Sequence, residues 1–407
     1  MNDVYIPRSL EAVLTRAASQ FPSITLTGPR QSGKTTLLKR VFGATHRYVS
    51  VDIPNVRAQA ESDPHEFFRR FPPPVIIDEA QYAPILFPYV KEIIDNRRSE
   101  KGLFILSGSQ NFNLLAQITE SLTGRTAVLR LFPLTHQELS RRESTDLPWE
   151  RNESPAATAI SAAIPIWQEI WKGFYPEPAL MPDTGWDQWQ GTRNLLYLER
   201  DVRSLRQIGD LNQFQAFMEV LAARSAQLLN LNDISSDLGI AANTLKSWLS
   251  VLEASFTVII LRPYFKNVGK RLVKMPKVYF TDSGMLSYLT GYKTPELVAA
   301  GPMAGPIFET AVVMEIYKRF TNRGEIPRMY FWRTSTGNEV DLVIEQGQRL
   351  IPVEIKRNST PWPSMGDSIR AFIKDYPEQV TEGYVVYPGD QKAGLGHGVQ
   401  AYPFADL

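Results

Sequence analysis

A chain of 407 residues is too long for one ordinary hydrophobic core, so two or three domains are expected. With 44 Lys and Arg against 43 Asp and Glu, the net charge of +1 excludes a uniformly basic nucleic-acid binder and confines any such surface to a local patch. Cysteine is absent, which excludes disulfides and thiolate metal sites, and His46, His65, His136 and His397 are too scattered for a local zinc motif, leaving a hard metal held by carboxylates as the option.

The start, MNDVYIPRSL, has no basic segment leading into an apolar run, and no apolar stretch approaches the ~20 residues that span a bilayer. A soluble cytoplasmic protein with no membrane partner is expected. Over residues 1–140 the apolar runs SITLTG, RYVSVDI, PPVIIDEA, GLFILSGS and TAVLRLFPLT alternate with helical patterns. That rhythm predicts an α/β domain with a parallel sheet and crossover helices.

Between the first run and the helical TLLKRVF stands GPRQSGKT, the GxxxxGK[ST] pattern, covering Gly28, Pro29, Arg30, Gln31, Ser32, Gly33, Lys34 and Thr35, with Thr36 following. Glycines there let backbone N–H groups wrap a β-phosphate, Lys34 adds charge to the outer phosphates, and the Thr35 hydroxyl takes a Mg²⁺ position. PVIID then carries Asp78 and Glu79 to a strand end. Asp78 is expected to hold Mg²⁺ through water, and Glu79 to polarise the water that attacks the γ-phosphate of ATP. GLFILSGSQ ends in Ser107, Ser109 and Gln110, candidates for contacting the γ-phosphate or that water, although such residues are also common in turns. SLTGR places Arg125 at a helix end, where it either reaches a neighbouring subunit's nucleotide or makes a surface ion pair.

From Leu139 to about Ala163 the text is polar and aperiodic, and 164–225 has helical spacing, so 141–225 is expected to be a linker and helical lid. LNDISSDLGIAANTLKSWLSVLEAS reads as helix, turn, helix, and two strand-like runs follow, so 226–295 is expected to be a winged helix. Between Ala254 and Thr281 there are six basic residues, Arg262, Lys266, Lys270, Arg271, Lys274 and Lys277, and no acidic one. The last five are candidate DNA-phosphate contacts; the second helix offers no arginine, so backbone binding without sequence readout is expected.

Residues 300–407 predict helix, three strands, helix, strand, with Glu309 on the first helix, Asp341 on NEVDLVIE, and Glu354 and Lys356 on PVEIK. Residues two apart on a strand share a face, so Glu354 and Lys356 project together and Asp341 on the adjacent strand can meet Glu354 across a metal. Lys356 would orient or deprotonate the attacking water.

These motifs, together with LSGSQ, LFPLT, YLERDV and FWRTSTGNEVDLVIE, resemble the bacterial and archaeal AAA-superfamily ATPases that join an N-terminal AAA domain to a C-terminal nuclease-like domain. The resemblance implies an AAA fold, ATP hydrolysis, a ring or other homo-oligomer, and Arg200 and Arg203 as nucleotide sensors. The C-terminal order resembles the PD-(D/E)xK nuclease family, with its restriction-endonuclease-like α/β fold; Glu309 then corresponds to the family's helix carboxylate, and Glu309, Asp341 and Glu354 to its metal ligands. The leading expectation is an ATPase that binds DNA and couples nucleotide state to Mg²⁺-dependent cleavage. The alternative is an ATP-dependent switch whose nuclease-like domain only recognises nucleic acid or a protein partner.

Overall fold

The computed structural model describes residues 5–109, 118, 120–142, 146–151, 165–202, 210–265 and 274–407. The chain divides into two compact units: Met1–Leu134 with Ala254–Phe256 and Thr321–Glu325, and Thr135–Glu253 with Thr257–Phe320 and Ile326–Leu407. No described helix is long and apolar enough to cross a membrane.

The first unit is built from α1 (Glu11–Gln20), β1 (Ser23–Thr27), α2 (Lys34–Phe42), β2 (Arg47–Ser50), α3 (Pro54–Ser62), α4 (Pro64–Arg70), β3 (Val75–Asp78), α5 (Leu86–Asn96), β4 (Phe104–Gly108) and β5 (Thr126–Arg130). Its five strands are all parallel, in the order β2-β3-β4-β1-β5. Strand periodicity covers both faces: Val75, Ile77, Phe104 and Leu106 join one apolar cluster, whereas Ile76, Ile105, Ile24 and Leu26 join the other. Because β4 lies between β1 and β3, its last residues sit between the loop after β1 and the acidic end of β3. Ligand sites of open parallel sheets lie at such carboxyl ends.

In the second unit the helices Leu231–Leu238 and Ala242–Ala254 flank Gly239, whose φ of 67° is a left-handed helix end that glycine adopts without strain. They form the expected helix-turn-helix. An eight-stranded sheet follows, in the order β12-β13-β11-β10-β9-β8-β6-β7, from β6 (Val258–Pro263), β7 (Lys277–Phe280), β8 (Met329–Arg333), β9 (Glu339–Gln346), β10 (Arg349–Ile355), β11 (Gly383–Tyr387), β12 (Ala393–Gly396) and β13 (Val399–Pro403). The helix Ala304–Asn322 precedes β8, and the helix Asp367–Asp375 makes the crossover from β10 to its parallel neighbour β11. One expectation changes here: β6 and β7 do not form a separate wing. Arg262 and Pro263 of β6 pair in parallel with Tyr330 and Phe331 of β8, which adds the hairpin to the C-terminal sheet.

The same unit buries an ionic network. His136 Nδ1 lies 2.8 Å from Glu169 Oε1, Glu315 accepts from the His136 backbone N–H at 2.8 Å and from Arg319 Nε at 3.2 Å, and Arg319 also donates to the Leu407 carbonyl. Buried charges persist where they are paired and hydrogen-bonded in this way.

Candidate nucleotide and carboxylate sites

The loop after β1 needs its glycines. A Cβ on Gly28 would lie 2.1 Å from the Leu131 carbonyl oxygen, and Gly33, at φ 95°, is the residue on which α2 begins. The buried Arg8 braces the loop, donating to the carbonyls of Ser32 at 2.9 Å and Phe132 at 2.7 Å. Lys34 folds back on the loop, its Nζ donating to the carbonyls of Gly28 at 2.9 Å and Pro29 at 2.7 Å. Ser32 Oγ is buried with no hydrogen-bond partner among the described residues. A loop that holds an ammonium against its own carbonyls, at the N-terminus of a helix, fits the phosphates of a nucleotide.

Asp78 organises the acidic side. Its Oδ2 accepts from Thr35 Oγ1 at 2.7 Å and from Tyr48 Oη at 2.8 Å, while Oδ1 accepts from Ser107 Oγ. The two residues expected to serve Mg²⁺, Thr35 and Asp78, are thus in contact, and the ion fits their oxygen donors. Glu79 stands at φ 56°, an uncommon backbone for a non-glycine residue, with its Oε2 accepting from Gln81 Nε2 at 2.5 Å and Ser109 Oγ at 3.2 Å. Ser107 therefore serves Asp78 and Ser109 serves Glu79, whereas Gln110 lies outside the described residues. Arg30 donates to Tyr82 Oη at 3.2 Å, and Gln31 and Thr36 are exposed. Sequence reasoning missed Tyr48. Burial and the hydrogen bond to Asp78 push its phenol well above the ordinary tyrosine value, and Lys39 Nζ lies 3.9 Å over its ring.

Arg125 makes a two-pronged ion pair with Asp95, Nε to Oδ1 at 2.9 Å and Nη2 to Oδ2 at 3.0 Å. This is the plain alternative weighed for that residue. Arg203 and the Arg200 side chain lie outside the described residues.

The basic patch is only partly described. Lys266, Lys270 and Arg271 lie outside the described residues, and Lys274 is exposed. Lys277 is a correction: its side chain is only 3% exposed and cannot lie against DNA phosphates. It begins β7 and points into the C-terminal carboxylates, with Nζ 2.7 Å from Glu339 Oε1, 3.1 Å from Glu309 Oε1 and 3.8 Å from Asp341 Oδ1. Tyr279 donates to Glu309 Oε1 at 2.6 Å, the backbone N–H of Ile355 donates to Asp341 Oδ2 at 2.8 Å, and Lys356 Nζ donates to Glu354 Oε1 at 2.5 Å. Glu354 Oε2 is buried with no hydrogen-bond partner among the described residues.

Burial, and then the neighbouring Asp341 charge, push Glu309 and Glu354 up, and burial does the same to Asp341. Lys277 shifts upward too: burial opposes its charge, but Glu309, Asp341 and Glu339 outweigh it. The quartet expected from sequence is gathered in one region, yet among the described residues no three carboxylate or histidine groups converge on a point that could hold a metal. The cluster is arranged around an ammonium, so a metal held by Glu309, Asp341 and Glu354 does not fit it.

Comparison with known proteins bears on the whole chain. It is 30% identical over 397 residues to the uncharacterized protein Rv2008c of Mycobacterium tuberculosis (strain ATCC 25618 / H37Rv), an alignment covering 97% of this chain and 83% of the relative. The uncharacterized protein Mb2031c of Mycobacterium bovis (strain ATCC BAA-935 / AF2122/97) matches with the same identity and coverage. The chain belongs to the family of these mycobacterial proteins. Within it, residues 20–140 match an AAA domain, 165–296 a domain of unknown function (DUF8612), and 304–407 a second domain of unknown function (DUF4143). The N-terminal domain is thus a parallel-sheet, P-loop domain of the AAA superfamily. Among solved structures, the Walker-type ATPase paby2304 of Pyrococcus abyssi superposes with a TM-score of 0.43 at 16% identity, over 70% of this chain and 96% of that one. The RuvB Holliday junction branch migration motor of Thermotoga maritima does so with a TM-score of 0.28 at 17% identity, over 62% of this chain and 85% of that one.

Proposed function

We propose that this family member binds and hydrolyses ATP at the P-loop, and that nucleotide state governs the engagement of DNA by the second unit. The observation that carries the first part is the single carboxylate, Asp78, holding both Thr35 and Ser107, with Glu79 as the next residue. Thr35 and Asp78 would hold Mg²⁺, which when bound neutralises charge on the β- and γ-phosphate oxygens. Lys34 exchanges its two carbonyl contacts for phosphate oxygens. Glu79 takes the proton of the water whose oxygen bonds to the γ-phosphorus as the bond to ADP breaks. Ser109 and Gln81 hold the Glu79 carboxylate until then.

ATP turnover by the wild type and two variants tests this. Lys34→Ala should lose tight ATP binding, and Glu79→Gln should bind ATP normally but turn it over roughly a hundredfold more slowly. Wild-type turnover by Glu79→Gln would remove that residue from the mechanism.

The order helix, three antiparallel strands, helix, parallel strand supports a PD-(D/E)xK nuclease-like fold for the C-terminal domain. The helix-turn-helix and the exposed Lys274 support DNA as partner. The resemblance to AAA ATPases supports a ring or other homo-oligomer. Of the two uses weighed for the nuclease-like fold, the ammonium of Lys277 among the carboxylates favours recognition over cleavage, since fold alone does not imply activity. Plasmid incubated with Mg²⁺ and the wild type should stay intact while DNA binding is retained. Nicking that disappears in Lys356→Ala would reinstate the nuclease.

A further inference from the structure

Four carboxylates meet in the second unit from three separate elements: Glu309 on the helix Ala304–Asn322, Glu339 and Asp341 on β9, and Glu354 on β10. Like charges brought together in a dry site repel unless a cation or shared protons compensate them. In nucleases of the resembled family the compensating charge is a divalent metal. We propose that here it is the Lys277 ammonium, a resident cation that takes the metal's role and makes the cluster metal-independent.

The position of Lys277 is fixed by backbone pairing, not by a mobile surface stem. It is paired with Leu261 of β6 and bridged to Leu228, so the strand delivers Nζ to within 4 Å of three carboxylates. Two residues further along the same strand face, Tyr279 fills a second acceptor direction of Glu309. Asp341 commits its other oxygen to the Ile355 backbone N–H, and Glu354 turns one oxygen to Lys356. A divalent ion entering this cluster would meet an ammonium already ion-paired with Glu309, Glu339 and Asp341. The two would repel across a medium that screens poorly.

This inference rests on the nuclease-like reading only for the expectation of a metal. Its test is direct titration of Mn²⁺ into the full-length protein without nucleotide, with the free ion followed by its paramagnetic resonance. Wild type and Asp341→Asn should bind the same number of equivalents, because the cluster takes none. Lys277→Met should gain one equivalent that Lys277→Met combined with Asp341→Asn lacks. One equivalent present in wild type and absent from Asp341→Asn overturns the proposal, and that pair suffices if Lys277→Met does not fold. A folded Lys277→Met that gains nothing overturns it as well, since the lysine would then stand in for no metal. ATP turnover measured on the same samples reports on the P-loop separately, so failure of the ATPase reading is distinguishable from failure of this one.

Discussion

Tyr48 donates its phenolic hydrogen to the same Asp78 oxygen that accepts from Thr35, at 2.8 Å. The tyrosine stands on β2, next to β3 in the sheet, and so fixes the acidic strand end from the side opposite Ser107 on β4.

If Tyr48 positions Asp78, Tyr48→Phe should leave nucleotide affinity intact and raise the Mg²⁺ concentration that half-saturates turnover. Hydrogen bonds to charged groups contribute about 1.5–3 kcal/mol, so the increase should be about tenfold or more. An unchanged Mg²⁺ dependence would reduce Tyr48 to a packing residue.

The Arg125–Asp95 pair predicts that alanine at either position lowers the thermal midpoint by a similar small amount and that the double variant loses no more than the single ones. Both single variants should keep wild-type turnover. A turnover loss confined to Arg125→Ala, rescued by mixing with Glu79→Gln subunits, would instead make this arginine a transition-state contact supplied across a subunit boundary.

Replacing Lys270, Arg271 and Lys274 together with alanine should weaken binding to DNA of any sequence by a similar factor. The log–log salt slope should flatten by about 0.9 for each phosphate that is no longer neutralised. Lys277→Ala, by contrast, should leave that slope alone and lower stability, because its charge faces buried carboxylates. A slope change for Lys277→Ala alone would return that lysine to the DNA surface.

His136 offers a pH signature. Burial opposes its charged form, but Glu169 and Glu315 outweigh burial and raise its value above the ordinary 6.5. A group raised on folding contributes stability that is complete below its unfolded value and lost as pH rises through its folded value. His136→Gln should therefore cost most in mildly acidic buffer, about 3–5 kcal/mol if the partner carboxylate is left uncompensated. The gap in urea midpoint between variant and wild type should close toward alkaline pH, and a gap that widens there would contradict the pairing.

The AAA domain was legible because its signals are local and redundant. Continuous apolar runs such as VIID, a loop whose glycines have no alternative, and carboxylates at a strand end are each spelled out within a few residues. The helix and strands from Ala304 to Tyr387 were readable for the same reason. Three kinds of feature were not. β12 and β13 are short strands separated by a glycine-rich turn, with too few residues to show a period. Tyr48 is apolar text by composition, and only the neighbouring strand gives its hydroxyl a partner. Lys277 reads as one more cation in a basic run, because charge patterning records neighbours in sequence, whereas its partners lie 32 and 62 residues further on, at Glu309 and Glu339.

The parallel rungs that join β6 to β8 also affect how this protein could be cut or recombined. A fragment beginning at residue 304, where the second domain of unknown function starts, would leave behind β6, β7 and Lys277. β8 would become a raw sheet edge, open to pairing with other chains. Glu309, Glu339 and Asp341 would lose their shared counter-charge in the same cut. The hairpin Val258–Phe280 and the C-terminal sheet therefore form a single exchangeable module, and a swap between relatives that respects the foldable unit must move the crossover point ahead of Val258.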